Sequence, residues 1–357
     1  MASRQHVVAQ ARRILGTADK AAEAARQAQR PRRPSADMGG LESLAPAAPP
    51  VESTPVTRAI AEERAQRIED GLDAMRKIES GRESEITEQG QRGLEAIILL
   101  TGRPAILIQS GDFMEPPPQW ADLKPLRSKI QSVIQRVGRI EVANNPNFDW
   151  LGTGFLAGAD TVITNRHVAQ EFSQSTTPGK WTFRAPMTAG IDFKSEFGSA
   201  DALEFTLQEI IGIHDQHDLA VLRVARTSGT TALSDPLPVA GKAPGNALVG
   251  RKVYVIGYPA WDGRRNDPEP MRRIFSEIYN VKRLQPGEIS GETVKDFEIF
   301  HDCSTLGGNS GSPVIDLETH RVIGLHFGGR YMEKNHAIPL WTLQNDPLIQ
   351  KAKLNFQ

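Results

Sequence analysis

The chain has a single cysteine, Cys303. An internal disulfide is excluded, and with it the stapled framework usual in a secreted digestive enzyme. Two readings of the lone thiol stay open: a packed small hydrophobe, or a redox-active group. Charge of one sign is also lacking, since the formal net charge is -1. Neither nucleic acid nor an anionic membrane is therefore expected as the main partner. No stretch reaches the roughly 20 apolar residues that a membrane-spanning helix needs. The opening "MASRQHVVAQARRILGTADKAAEAARQAQR" lacks the apolar core and cleavage site of a signal peptide. It is rich in Arg and Ala, as organelle transit peptides are, but Asp19 and Glu23 count against that reading. These absences together lead to the expectation of a cytoplasmic protein.

What is present divides into four parts. Residues 1–30 read as a helical segment of small and basic residues. Residues 31–56 are rich in proline and small polar side chains and read as a disordered linker. Residues 57–137 read as a helical lead-in with a regulatory role. In it Ala61, Ala65, Ile68, Leu72 and Met75 alternate four- and three-residue steps, the stripe of an amphipathic helix. That helix either lies on its own domain or binds a partner. Gly102-Arg103-Pro104 stops the next helix, "AILIQ" reads as a strand, and Leu126, Ile130, Val133, Ile134 and Val137 share a further helical face. Aromatic and apolar residues are sparse before residue 94 and richer after it, so the compact core belongs to the later part.

From 138 to 357 the period shortens to two. "GRIEV", "WLGTGFLAG", "DTVITN", "LAVLRV", "KVYVIGYP", "FEIFHD", "SPVID" and "HRVIGLHFG" are short strands bounded by Gly, Asp, Asn and Pro. The fold class is mainly β, with barrels or sandwiches, and a helix is expected over Trp341–Lys353.

Within this part three residues suit acyl transfer. That chemistry needs a nucleophile, a base to take its proton, and an acid to orient the base. His167 in "TNRHV" follows a short β-branched strand and is the candidate base. Asp218 in "HDQHDLAVL" directly abuts a strand whose rigidity would fix it, and is preferred as the acid over Asp215. Ser310 in "STLGGNSGSPVID" is the candidate nucleophile. Glycines at 308 and 311 let backbone approach a substrate, and the N–H groups of Gly308 and Ser310 are the candidate oxyanion hole. Each residue taken alone has a plainer reading: a packing histidine, a strand-capping aspartate, a tight turn. Taken jointly they fall in the order His, Asp, Ser, spaced by roughly 50 and roughly 90 residues, which leaves room for a barrel on each side.

With "GTGF" at 152–155, "GYP" at 257–259 and "VIGLHFGG" at 322–329, these motifs resemble the trypsin-like serine proteases. The similarity is greatest to the disulfide-free bacterial branch of glutamyl endopeptidases and Deg-type proteases, and covers about residues 138–345. The resemblance implies two six-stranded antiparallel β-barrels of the chymotrypsin kind, a triad in the cleft, and no cofactor. It also implies a specificity pocket. The residue six before the nucleophile is Ser304, so no carboxylate stands there to hold a basic side chain, and Asp302 is two residues off. Thr305 and His326 fall where glutamyl endopeptidases receive an acidic P1 side chain. An acidic P1 and a small or apolar P1 both remain open. Phe327, Gly328 and Gly329 are expected to pair with the substrate as an added strand. Asn309 stands before the serine where trypsin zymogens carry aspartate, so activation by an inserted amino terminus is not expected.

Two further features have plain alternatives. His214, Asp215, His217 and Asp218 cluster as zinc ligands can, but no second cluster completes a site, and no metal is expected. "GRRNDPEPMRR" reads as a solvated basic loop, or as a contact for phosphate or an acidic partner. The leading expectation is a serine endopeptidase acting on a restricted set of protein or peptide substrates, with a regulatory partner bound through the N-terminal helices. The alternative is a catalytically silent protease-fold scaffold whose helices bind a partner.

Overall fold

The computed structural model describes residues 3–29, 55–177, 179–245, 247–261, 268–293, 297–330 and 334–357. The linker expected over 31–56 lies outside them except for its last two residues, which open a helix. Among the described residues no helix is long and apolar enough to cross a membrane.

The N-terminal segment forms two helices rather than one, α1 (Arg4–Ile14) and α2 (Ala18–Gln29). They break at Leu15-Gly16, where two N–H groups turn back onto the Ala11 carbonyl and end α1. Two longer helices follow, α3 (Pro55–Glu79) and α4 (Glu88–Gly102), the latter capped by the Thr87 hydroxyl. Ile68, Leu72 and Met75 of the predicted stripe are buried against α4, with Ala11, Leu94 and Ile97 in the same core. Ala65 is exposed, so the stripe is used only along its C-terminal half. The stripe thus lies against its own chain.

After Gly102 the chain enters the β part. The hairpin β1 (Ile106–Gln109) and β2 (Asp112–Phe113) precedes a 3-10 stretch (Pro118–Leu126) and α5 (Arg127–Ile134). Strands β3 (Val137–Ala143), β4 (Trp150–Gly158) and β5 (Thr161–Thr164) lead to α6 (Arg166–Gln170). A small hairpin, β6 (Ser173–Thr177) and β7 (Lys180–Phe183), precedes β8 (Thr188–Asp192), β9 (Glu204–Ile213) and β10 (Ala220–Val224). These strands close a six-stranded barrel in the order β10-β5-β4-β3-β8-β9.

A two-residue hairpin, β11 (Thr227–Ser228) and β12 (Thr231–Ala232), links to the second half. There β13 (Lys252–Gly257), β14 (Arg283–Thr293), β15 (Glu298–His301), β16 (Pro313–Asp316), β17 (Val322–Arg330) and β18 (Lys334–Pro339) follow in chain order. They pair as β13-β16-β17-β18-β15-β14, and the β13–β14 pairing closes the second six-stranded antiparallel barrel. β1 adds to the outside of β14 at Ile106↔Leu284.

Three local expectations are corrected. The helix expected over Trp341–Lys353 is split into a 3-10 turn (Leu340–Leu343) and α8 (Pro347–Ala352), because Asp346 caps a fresh start and Pro347 takes its first position. Of the run "GRRNDPEPMRR", residues 263–267 lie outside the described residues and the rest is not loop: Pro268–Phe275 form α7, with Met271 and Phe275 buried beside Tyr279 and Leu306. The sequence pattern also missed β8, β9, β14 and β18, whose polar residues and, in β14, Pro286 mask the alternation.

The lead-in joins the barrels. Trp120, Ile130 and Ile134 share one core with Ile163 of the first barrel and Ile256, Leu284 and Leu325 of the second. At the same seam Lys282 is fully buried, its ammonium donating to the carbonyls of Ile134 (3.0 Å) and Phe193 (2.7 Å). The cleft between the barrels is thereby braced from behind.

Candidate active site

His167 sits in the first turn of α6, just past β5. Asn165 stands at the N-cap position without a side-chain capping bond, and its side-chain amide donates to the Asp218 carbonyl at 2.8 Å. Arg166 donates to the carbonyls of Asp215 (2.8 Å) and Gln216 (3.1 Å). Two neighbours of His167 therefore hold the 215–218 loop, and neither was singled out from sequence. Within this frame the His167 backbone N–H donates to Asp218 Oδ1 at 3.0 Å. His167 Nδ1 lies 2.7 Å from Asp218 Oδ2. Because the carboxylate accepts, Nδ1 carries the proton and Nε2 keeps its lone pair, the tautomer a general base needs. Burial by itself would raise the Asp218 carboxyl, but the hydrogen bonds and charge of His167 outweigh it and hold the group below its ordinary value. Asp215, the rival acid, is exposed and contributes only its carbonyl.

The cluster weighed as a metal site has other partners. His214 Nδ1 accepts from the N–H groups of Gln216 and His217, and its Nε2 lies 3.2 Å from Asp346 Oδ2. That link fastens the loop before Asp218 to the cap of α8. Among the described residues, no group of three or more His, Cys, Asp or Glu is arranged to hold a metal ion.

Ser310 follows a tight turn in which Asn309 N–H donates to the Leu306 carbonyl. Gly308 and Gly311 have φ of +84° and +90°. A Cβ at Gly308 would lie 2.3 Å from the Tyr258 carbonyl oxygen, and one at Gly311 1.9 Å from that of Thr153, so both must be glycine. The loop is clamped across the cleft by β4. Thr153 N–H donates to the Ser310 carbonyl at 2.8 Å, and the Thr153 hydroxyl donates to the Gly308 carbonyl at 2.7 Å. A Cβ on Gly152 would stand 2.9 Å from both the Ser310 carbonyl oxygen and Val168 Cγ2. Ser310 of the second barrel is thus seated against β4 beside the helix that carries His167. Neither the Gly308 nor the Ser310 N–H bonds to any described residue, as donors reserved for an oxyanion would.

The expected pocket residues Thr305 and His326 each have a polar partner of their own. The Thr305 hydroxyl donates to Asn335 Oδ1 at 2.7 Å, and Asn335 Nδ2 donates to the Cys303 carbonyl at 2.7 Å. His326 is buried, with Nδ1 3.1 Å from His301 Nε2. Burial, and then the neighbouring His301, push His326 well below its ordinary pKa, and burial takes His301 down to about 3. Both rings are therefore neutral near neutral pH. Phe327–Gly329 lie on β17, paired on one edge with β18 at Gly328↔His336 and Gly329↔Asn335. Pairing with β16 stops at Leu325, so the other edge past His326 is not used by a described strand. Cys303 is fully buried and its thiol is pushed up, which fits packing and not redox chemistry.

Residues 152–325 match the family model of the trypsin-like peptidase domain. This part of the chain is similar to that family. Glutamyl endopeptidase of Staphylococcus epidermidis is 27% identical over 188 residues, covering 52% of this chain and 57% of the relative. That of Staphylococcus aureus strain MW2 is 26% identical over 195 residues, covering 54% and 51%. The chain thus spans about half the length of the curated relatives it matches. Among solved structures, the active form of the Rv3671c protease of M. tuberculosis is 19% identical, with a TM-score of 0.40 and coverage of 68% of this chain and 88% of that one. The serine endoprotease of Yersinia pestis is 17% identical, with a TM-score of 0.41 and coverage of 63% and 66%. Overlays this loose add nothing to the assignment, which rests on the family match and on the two closed barrels. The trypsin-like domain opens only after five helices, α1 to α5, and the lead-in hairpin, and the lead-in shares its core.

Proposed function

We propose that the protein is a serine endopeptidase. His167 is the base, Asp218 orients it, Ser310 is the nucleophile, and the N–H groups of Gly308 and Ser310 receive the oxyanion. The observation that carries this reading is the bidentate hold of Asp218 on His167 beside a Ser310 loop clamped by Thr153. In the proposed reaction His167 Nε2 takes the Ser310 proton as Oγ attacks the scissile carbonyl. The same proton then passes to the leaving amine, and water releases the acyl-enzyme by the reverse roles.

An acidic P1 residue is the substrate preference this reading favours. His301 Nδ1 is buried without a hydrogen-bond partner. A buried orphan N–H costs more than a buried orphan lone pair. His301 therefore carries its proton on Nε2 and donates to His326 Nδ1, leaving His326 with an Nε2–H to offer a carboxylate. The names of the staphylococcal relatives point the same way. The substrate's backbone would add along the open edge of Phe327–Gly329. Control by the N-terminal helices, a restricted set of protein substrates and a cytoplasmic setting belong to the same proposal.

The test uses the full chain and Ser310→Ala with a fluorophosphonate probe, then a peptide-library cleavage profile. Labelling of the wild type alone, with Glu or Asp enriched at P1, is the expected result. Absence of labelling in both proteins would overturn the endopeptidase reading in favour of a scaffold. A Lys or Arg preference would overturn the pocket assignment alone.

A further inference from the structure

The segment that runs from the end of β15 to the nucleophile is held from outside the two barrels. Arg103, just past the C-terminus of α4, grips Asp302 with Nε at 2.8 Å from Oδ1 and Nη2 at 2.7 Å from Oδ2. Its own carbonyl accepts from the Ser304 hydroxyl at 2.7 Å. One residue of the helical region therefore touches this segment at two points, and Ser304 stands six before the nucleophile. In this grip the Arg103 side chain is 1% exposed and that of Asp302 13%. α1 completes it from the far side. Gln10 Nε2 donates to Glu288 Oε2 (3.0 Å) and Asp302 Oδ2 (3.1 Å), and Arg13 pairs with Glu288. Asp302 Oδ1 also accepts the Glu288 N–H at 2.7 Å, which ties the group to β14.

We propose that Arg103 is a positioning residue for the substrate pocket, the point through which the N-terminal helices set the 302–306 wall. This rests on the endopeptidase reading for its kinetic consequences, not for its structural ones. A forked guanidinium can hold both carboxylate oxygens and fix the plane of Asp302, whereas an ammonium holds a point. Ser304 and Thr305 stand two and three residues after Asp302, so a shift of its carboxylate moves the wall that would face P1. The catalytic pair is fastened elsewhere, to β4, α6 and the 215–218 loop. Loss of the Arg103 grip should therefore weaken side-chain recognition more than the chemistry of Ser310.

The experiment compares full-length wild type, Arg103→Lys, Arg103→Met and Gln10→Leu. Three quantities are read: amide hydrogen exchange over 302–309, the rate of fluorophosphonate labelling, and kcat and KM on the best library peptide. Expected are faster exchange over 302–309, a KM raised roughly tenfold in Arg103→Met with a broadened P1 profile, and labelling within about threefold of wild type. Arg103→Lys should fall between wild type and Arg103→Met. Should Arg103→Met fail to fold, Gln10→Leu, which deletes only two hydrogen bonds, should show the same pattern at smaller size. Unchanged exchange over 302–309, an unchanged KM, or parallel loss of labelling and peptide cleavage would overturn the proposal. A wild type that takes no label would sink the endopeptidase reading, and exchange over 302–309 would still decide whether Arg103 positions the wall.

Discussion

Gln285 Nε2 donates to Asn309 Oδ1 at 2.8 Å, and both side chains are completely buried. Asn309 in turn donates to the Leu306 carbonyl, so the residue before the nucleophile is held on both faces of its amide. A neutral pair within the second barrel thus holds the residue before Ser310. Gln285→Leu leaves Asn309 Oδ1 unpaired, at a cost of about 1–3 kcal/mol. The loop carrying Gly308 and Ser310 should relax, lowering kcat by roughly 10- to 100-fold with KM little changed. Steady-state kinetics on a peptide substrate check this, and an unchanged kcat would show that the loop holds itself.

The two aspartates of the 215–218 loop should separate cleanly. Asp218→Asn replaces an acceptor with an amide that no longer selects the productive tautomer of His167, and kcat should fall by roughly 10⁴. Asp215→Asn keeps the backbone carbonyl that Arg166 uses and should leave kcat within about threefold. Equal losses in the two variants would mean that the loop, and not the carboxylate of Asp218, is what matters.

His301 should govern P1 choice without touching the reaction. His301→Leu removes the donor that sets the His326 tautomer. Cleavage after Glu should then drop roughly tenfold relative to cleavage after a small residue, while fluorophosphonate labelling persists. His301→Gln can still donate, and should restore part of the preference. A P1 profile unaltered in both variants would remove His326 from the pocket's chemistry.

Lys282 makes stability depend on pH in a direction opposite to that of a salt-bridged amine. Burial takes its ammonium from the ordinary 10.5 down to about 7, against the pull of Glu196 and Asp192. Between those two values the unfolded chain binds one more proton than the folded chain, so stability rises with pH across that window. Below about 7 the cost of charging the buried amine is complete. Urea unfolding of wild type and Lys282→Met from about pH 7 to about pH 10 should show wild type gaining on the variant by up to about 1.4 kcal/mol per pH unit. A constant difference would mean that the amine stays charged inside, sustained by the Ile134 and Phe193 carbonyls.

Legibility followed the range of the interactions. His167, Asp218 and Ser310 could be read because each stands in a local pattern that strand ends and turns impose: Thr-Asn before a helical turn, an aspartate abutting "LAVL", glycines that the turn around Ser310 cannot replace. Most barrel strands were readable by their alternation. β8, β9, β14 and β18 were not; in β14 and β18 polar residues such as Gln285, Glu288 and Asn335 are buried against neighbours that only barrel closure supplies. The single N-terminal helix and the long C-terminal helix were misread at Gly16 and Pro347, where one residue outweighs a run of helix formers.

By itself, then, the sequence determined the fold class and the candidate triad, because both rest on short-range periodicity and on residues whose backbone demands are met within a few positions. Tertiary structure alone decided what holds those residues. Thr153 clamps a loop some 150 residues away, Gln285 anchors Asn309, His301 orients His326, and Arg103 joins the helices to Asp302 and Ser304. The reason is physical: such partners are ordinary residues made specific only by burial beside one another, and burial is a property of the folded chain.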